Sequence, residues 1–127
     1  MLAYVDGRSV AINLAGIRIR QQRFAEAEAL LASAALDAPP RLRAPIAYDR
    51  AVVAYQLGDP ERVVALLDAA GTDWQQPEPL LLRVQALRRL GRRDEAAETL
   101  RRALPLVSGP RREALEQALR ALSAGAH

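Results

Sequence analysis

A short motif near the middle of the chain comes back one unit later: Leu57-Gly58-Asp59 returns after 33 residues as Leu90-Gly91-Arg92. Each copy follows an apolar run and precedes an acid-containing turn and a second run. Aligning on these glycines brings out further columns. Ala27, Val63 and Ala96 lie 36 and 33 residues apart, and Leu31, Leu67 and Leu100 share those offsets. So do Ala34, Ala70 and Ala103, and Ala15, Ala51 and Val84. A period of this length means one supersecondary unit copied along the chain, each copy needing its neighbours to bury its apolar face. The longer first step implies extra linker residues around Ala38-Pro39-Pro40.

Within each unit, apolar residues recur at helical spacing, as in Leu30-Leu31-Ala34-Ala35 and Val63-Val64-Leu67. Each unit therefore reads as two helices joined by a short turn. Small residues at Ala15/Ala27, Ala51/Val63 and Val84/Ala96 let the antiparallel partners approach closely. Gly58 and Gly91 stand where a helix C-terminus takes a left-handed residue. Asp59-Pro60-Glu61 has the form of an N-cap followed by proline at the first helical position. Breaks are expected at Pro39-Pro40, Pro45, Gly71 to Pro79, and Ser108-Gly109-Pro110. The pattern predicts an all-α chain with helices near 9–21, 24–37, 45–57, 60–70, 78–90, 93–106 and 111–123. Residues 1–127 are expected to form a single domain, with repeats at about 8–43, 44–76 and 77–109 and a capping helix at 110–124.

These columns resemble the tetratricopeptide repeat (TPR) family. The small residue at its eighth position corresponds to Ala15, Ala51 and Val84, and its Ala at the twentieth to Ala27, Val63 and Ala96. Its large apolar residue at the twenty-fourth is Leu31, Leu67 and Leu100, and its Ala at the twenty-seventh is Ala34, Ala70 and Ala103. The closing proline is matched by Pro39 alone. The aromatics usual at the fourth and eleventh positions are replaced by Ala11, Ala47 and Leu80, and by Arg18, Ala54 and Leu87. The resemblance covers roughly residues 8–110 and implies a right-handed α-solenoid of antiparallel helix pairs.

The ends of such an array need covering. In the last helix Ala114, Leu115, Ala118, Leu119, Ala121 and Leu122 form an apolar face, and Arg111, Arg112, Glu113, Glu116, Gln117 and Arg120 a polar one. That is the pattern of a cap. At the other end Val10, Leu14 and Ile17 are expected to be partly uncovered unless residues 1–8 fold back. An uncovered edge makes a homodimer the second functional reading.

Composition removes most chemistry. The chain has no cysteine, one histidine (His127, terminal and expected to be disordered), and eighteen basic residues that are all arginine. Thiolate nucleophiles, disulfides, His-based triads and lysine bases are excluded together. Glu26, Glu28, Glu95 and Glu98 sit beside arginines at helical spacing, the pattern of solvated faces. Ser9, Ser33, Ser108 and Ser123 lack a base. Asp59 and Asp94 read as turn and cap residues rather than metal ligands. The expectation is a non-enzyme without catalytic residues, metal or cofactor. No signal peptide or membrane span is visible, so the expected location is cytoplasmic.

What remains is binding, and here the resemblance supplies the face. It implies that the first helix of each repeat lines a groove, placing Ile12, Asn13, Gly16, Ile19 and Arg20 there from repeat one. Repeat two contributes Tyr48, Asp49, Val52, Tyr55 and Gln56, and repeat three Leu81, Leu82, Gln85, Arg88 and Arg89. Aromatic and arginine anchors dominate binding energy, so Tyr48 and Tyr55 form a platform for a peptide. The alternative is that both tyrosines simply pack between helices. Arg20, Arg88 and Arg89 suit a partner's carboxylate. The two-carboxylate clamp known in the family wants basic and Asn residues where this chain has Ile12, Gly16, Asp49, Glu78 and Leu82. A chaperone EEVD-type tail is therefore not the expected ligand. Trp74 lies outside the columns and reads as cover for the joint between repeats two and three.

Arginine pairs at 88–89, 92–93, 101–102 and 111–112 raise nucleic-acid binding. Neighbours on a helix diverge by ~100°, so the pairs cannot share one stripe. Charge also divides: residues 1–43 carry six Arg and four acids, 44–76 two Arg and five acids, and 77–127 ten Arg and six acids. An acidic middle between basic ends is not a continuous basic track. Another protein or peptide is the expected partner, with no membrane.

Overall fold

A computed structural model describes residues 7–71 and 74–124 of the chain. The described residues hold seven α-helices and no strand: α1 (Gly7–Arg20), α2 (Phe24–Ala35), α3 (Pro40–Gln56), α4 (Pro60–Ala69), α5 (Pro77–Arg89), α6 (Arg93–Ala103) and α7 (Gly109–Ala124). A 3-10 turn over Leu104–Leu106 follows α6. Helices pair as α1/α2, α3/α4 and α5/α6. Successive pairs then join through α2/α3, α4/α5 and α6/α7, so each helix packs mainly on its sequence neighbours. This is the helical-repeat architecture that the periodicity predicts.

The aligned columns are the inner contacts. Ala15, Ala27, Ala51, Val63 and Ala96 are fully buried, and Val84 nearly so. Leu31, Leu67 and Leu100 fill the space between helices, each worth about 1.5–3 kcal/mol in burial. One cluster, running through Ala51, Leu67, Leu87 and Leu100 to Leu122, binds the last two pairs to α7. A second, around Ala15, Ala27, Leu31 and Val53, holds the first pair. A third, of Ala34, Ala38 and Ile46, welds it to α3. Ala70 departs from its column: α4 stops at Ala69 and Gly71 follows at φ +116°, leaving Ala70 only half-buried.

The turns between paired helices share one construction. After α3, Gly58 N–H donates to Tyr55 O at 3.1 Å and Asp59 N–H to Ala54 O at 2.9 Å. After α5, Gly91 donates to Arg88 O at 3.1 Å and Arg92 to Leu87 O at 2.9 Å. Both are Schellman closures on a left-handed glycine, at φ +80° and +73°. Repeat one builds the same turn without glycine: Gln22, at φ +60°, donates to Ile19 O at 2.9 Å, and Arg23 to Arg18 O at 2.8 Å. Asp59 caps α4 as expected, accepting from Arg62 N–H at 3.2 Å. Asp94 does not cap α6. The N-cap there is Arg92, and Asp94 lies in the first turn, where its charge complements the helix dipole.

Three further expectations need correction. Pro45 does not begin α3, which starts at Pro40 with Pro39 as its N-cap and carries Pro45 inside. Pro40 stands at the first helical position, where proline is unstrained, and Pro45 lies one turn further in, next to the buried Ile46. On α7, Leu115, Ala118 and Leu119 are half-buried and Leu122 buried, whereas Ala114 and Ala121 are exposed, so the covered stripe is narrower than the apolar one. Glu28 is not on a solvated face. Its Oε1 accepts from Arg50 Nη2 at 2.8 Å and from Arg62 Nη2 at 2.9 Å, joining α2, α3 and α4.

Arginine also serves helix ends. Arg8 Nε donates to Ala34 O at 2.9 Å and its Nη2 to Leu36 O at 2.8 Å, closing the carbonyl end of α2 from α1. Arg112 does the same at Leu104 O, at 3.0 Å. Val10 and Ile17 are exposed at 49% and 40%, and Leu14 is half-buried. The expectation of a fold-back concerned residues 1–8, of which 1–6 lie outside the described residues, as does His127. Among the described residues no helix is long and apolar enough to cross a membrane.

Candidate binding face on the first helices

The residues expected to face a ligand fall on α1, α3 and α5, the first helix of each pair. On α1, Asn13 and Arg20 are exposed. Ile12 and Ile19, assigned to the same face, instead pack partly buried against the two clusters at the α1–α3 end. Their large apolar side chains find cover in the joint between repeats.

The structure brings together α3 and α5. Arg89 holds its guanidinium 4.1 Å from the centre of the Tyr55 ring. Such a stack contributes about 0.5–1 kcal/mol when exposed and fixes the orientation of both groups. Tyr55 also packs partly buried on the main core. Beside the stack Gln56, Gln85 and Arg88 are exposed, and Arg88 has no ion-pair partner among the described residues.

One heptad toward the start of α3 is a second feature. Pro45, Tyr48 and Asp49 of α3 face Trp74 in the connection and Glu78 and Pro79 at the start of α5, around a cavity of about 460 Å³. Tyr48 and Asp49 are half-buried. Burial pushes the Asp49 carboxyl above its usual range, and no described residue gives it a hydrogen bond or ion pair. Tyr48 is raised too, first by burial and then by the charges of Glu78 and Asp49. Glu78 pairs with Arg111 at 3.3 Å, both groups being about half exposed.

Sequence reasoning assigned Tyr48 and Asp49 to a binding face but left out Trp74, Pro45, Glu78 and Pro79 as pocket walls. Trp74 packs partly buried on the core of the last two pairs, the joint it was expected to cover, and turns another part of its surface to the cavity. The available signal was a lone tryptophan in a Pro/Gln-rich connection.

The face thus has two ends, an aromatic pocket with carboxylates and an arginine-rich platform. Tyr48 and Tyr55 are about 10 Å apart along α3 at the helical rise. Stacked helix pairs with a polar–aromatic face define a helical repeat protein. The tetratricopeptide repeat pattern matches residues 9–33, 44–69 and 77–102, covering all three helix pairs. The chain belongs to the tetratricopeptide repeat family, whose repeats mediate protein–protein interaction and are in general non-catalytic. No curated protein matches the chain at a significant level.

Proposed function

We propose that the chain is a non-catalytic interaction module that docks a segment of a partner protein along the face of α3 and α5. The observation that carries this reading is the Tyr55–Arg89 stack at 4.1 Å beside an exposed Arg88 without an ion-pair partner among the described residues. Ordered aromatic and arginine side chains at a surface are the usual anchors of an interface, because little side-chain entropy is left to lose. Tyr48, Asp49, Gln56, Gln85 and Arg88 flank the stack, with Asn13 and Arg20 extending the face along α1. The partner is a peptide segment, extended or helical, and no cofactor takes part.

Four of the paired arginines have acids of their own. Arg92 pairs with Glu95 at 2.6 Å, Arg101 with Glu98 at 3.5 Å, Arg111 with Glu78 at 3.3 Å and Arg112 with Glu116 at 3.0 Å. This favours a protein ligand over nucleic acid, whose phosphates need uncompensated cations.

The test is affinity selection of a random decapeptide display library on the full chain, followed by titration of the enriched peptides. The Tyr55→Ala/Arg88→Ala double variant should remain folded and bind them at least about tenfold more weakly, the scale of losing one anchor. Unchanged affinity, or no enriched peptide, overturns this assignment. A second reading, self-association through α1, is favoured by the exposure of Val10 and Ile17 at 49% and 40%. Sedimentation at several concentrations separates the two, since a strict monomer removes the dimer.

A further inference from the structure

Resting on that reading, we infer that the cavity between α3 and the start of α5 is a cation pocket, taking an arginine or lysine side chain of the docked segment. Its walls supply what a long cationic side chain requires. Exposed Pro45 offers rigid apolar surface for the methylene stem, with the buried Pro79 behind the opposite wall. Tyr48 and Trp74 offer aromatic rings, whose negative faces attract a cation. Asp49 of α3 offers a carboxylate without a partner among the described residues, and across the cavity Glu78 of α5 shares its charge with Arg111 at 3.3 Å. At about 460 Å³ the cavity has the size of a small-ligand site.

The charge balance selects the sign of the occupant. Arg50, next to Asp49 in the chain, is engaged with Glu28 at 2.8 Å, and Arg111 compensates Glu78 at 3.3 Å, which leaves Asp49 as the charge without a partner. Asp49 has no hydrogen bond or ion pair among the described residues and is half-buried. A partly desolvated carboxylate without a donor is a cost to the free protein, which an incoming guanidinium or ammonium would offset through charge-assisted hydrogen bonds. An acidic or apolar side chain would raise that cost or leave it in place, and a neutral donor would offset less of it than a cation. Together with Arg88 and Arg89 at the other end, the face then distinguishes the two directions in which a charged segment can lie.

The lone tryptophan makes the pocket directly observable. Peptides enriched from the random decapeptide library should carry a recurring Arg or Lys, and their binding should change Trp74 fluorescence saturably. Replacing that Arg by citrulline, or that Lys by norleucine, should weaken binding at least about tenfold, the loss of one charge-assisted hydrogen bond. The Asp49→Asn/Glu78→Gln variant, with circular dichroism and melting as folding controls, should remove the preference for the charged side chain. The cation pocket is overturned if the enriched peptides show no recurring cation, or if citrulline and norleucine cost nothing, or if the variant keeps the preference. When those peptides still lose affinity in the Tyr55→Ala/Arg88→Ala variant, the docking face stands and the pocket alone is wrong. When neither variant affects them, both fall.

Discussion

Gln22 occupies in the first helix pair the left-handed backbone position that Gly58 occupies in the second, at φ +60° against +80°. Both close the same turn with paired N–H donations to the end of the preceding helix. A residue with a Cβ is strained there by about 1–2 kcal/mol, less the entropy that glycine adds to the unfolded chain. Gln22→Gly should therefore stabilise the protein by about 0.5–1 kcal/mol. Gly58→Ala and Gly91→Ala should each destabilise it by about 1 kcal/mol. Nothing lies within 4 Å of a Cβ built at either glycine, so backbone conformation alone sets the effect. Urea melts of the three variants check the signs, and a destabilising Gln22→Gly would contradict the shared turn.

Glu28 ties three helices through one oxygen, and its other carboxylate oxygen is buried without a hydrogen-bond partner among the described residues. Its two arginines differ in exposure: the Arg50 side chain is 19% exposed and that of Arg62 45%. Glu28→Ala should cost about 1–3 kcal/mol, because it leaves a largely covered guanidinium unpaired. Arg62→Ala should cost under about 1 kcal/mol, as surface pairs do. Double-mutant cycles should give a larger Glu28–Arg50 coupling than Glu28–Arg62. Equal couplings would show that burial is not what sets the strength of these contacts.

The elements legible in the sequence were those written in small and apolar residues. Ala15, Leu31, Leu67, Ala96 and Leu100 recur because each helix pair poses the same packing problem, and Gly58 and Gly91 because only glycine takes their backbone at no cost. Gln22 gave no such sign: a strained residue looks like any other in a polar turn. Pro45 misled because α3 begins one turn earlier, at Pro40, and carries Pro45 inside it. Glu28 looked solvated because its partners lie 22 and 34 residues away, beyond any helical spacing. The pocket was half legible. Tyr48 and Asp49 share a helix face visible in the sequence, but Trp74 reaches them only through the packing of α3 on α5.

At the far end Leu122 is 7% exposed and anchors α7 to the core of the last two pairs. Leu122→Ala should cost about 2–3 kcal/mol. Repeats communicate only through neighbours, so the loss should be local at first. Hydrogen exchange should accelerate in α7 and α6 while α1 and α2 keep their protection. Uniform acceleration along the chain would mean that the array opens as a single unit.

Asp49 and Glu95 should give the protein opposite pH responses. Burial raises the Asp49 carboxyl, so the folded state binds its proton more tightly than the unfolded state does. Its contribution is most favourable below the ordinary carboxylate range and is lost as pH rises through the elevated folded value. Asp49→Asn should thus melt at or above the wild-type temperature at pH 7, with the difference shrinking on acidification. Glu95 is held below its usual range, chiefly by its hydrogen bond from Arg92. Its contribution is present above the ordinary carboxylate range and lost as pH falls through the depressed folded value. Glu95→Gln should melt below wild type at pH 7, and that gap should close in acid. Melting curves of both variants from pH 7 to pH 3 check the pair. A carboxylate whose removal stabilises the fold while weakening a cationic peptide is retained for binding; an Asp49→Asn variant that melts well below wild type at pH 7 would instead make Asp49 a structural residue.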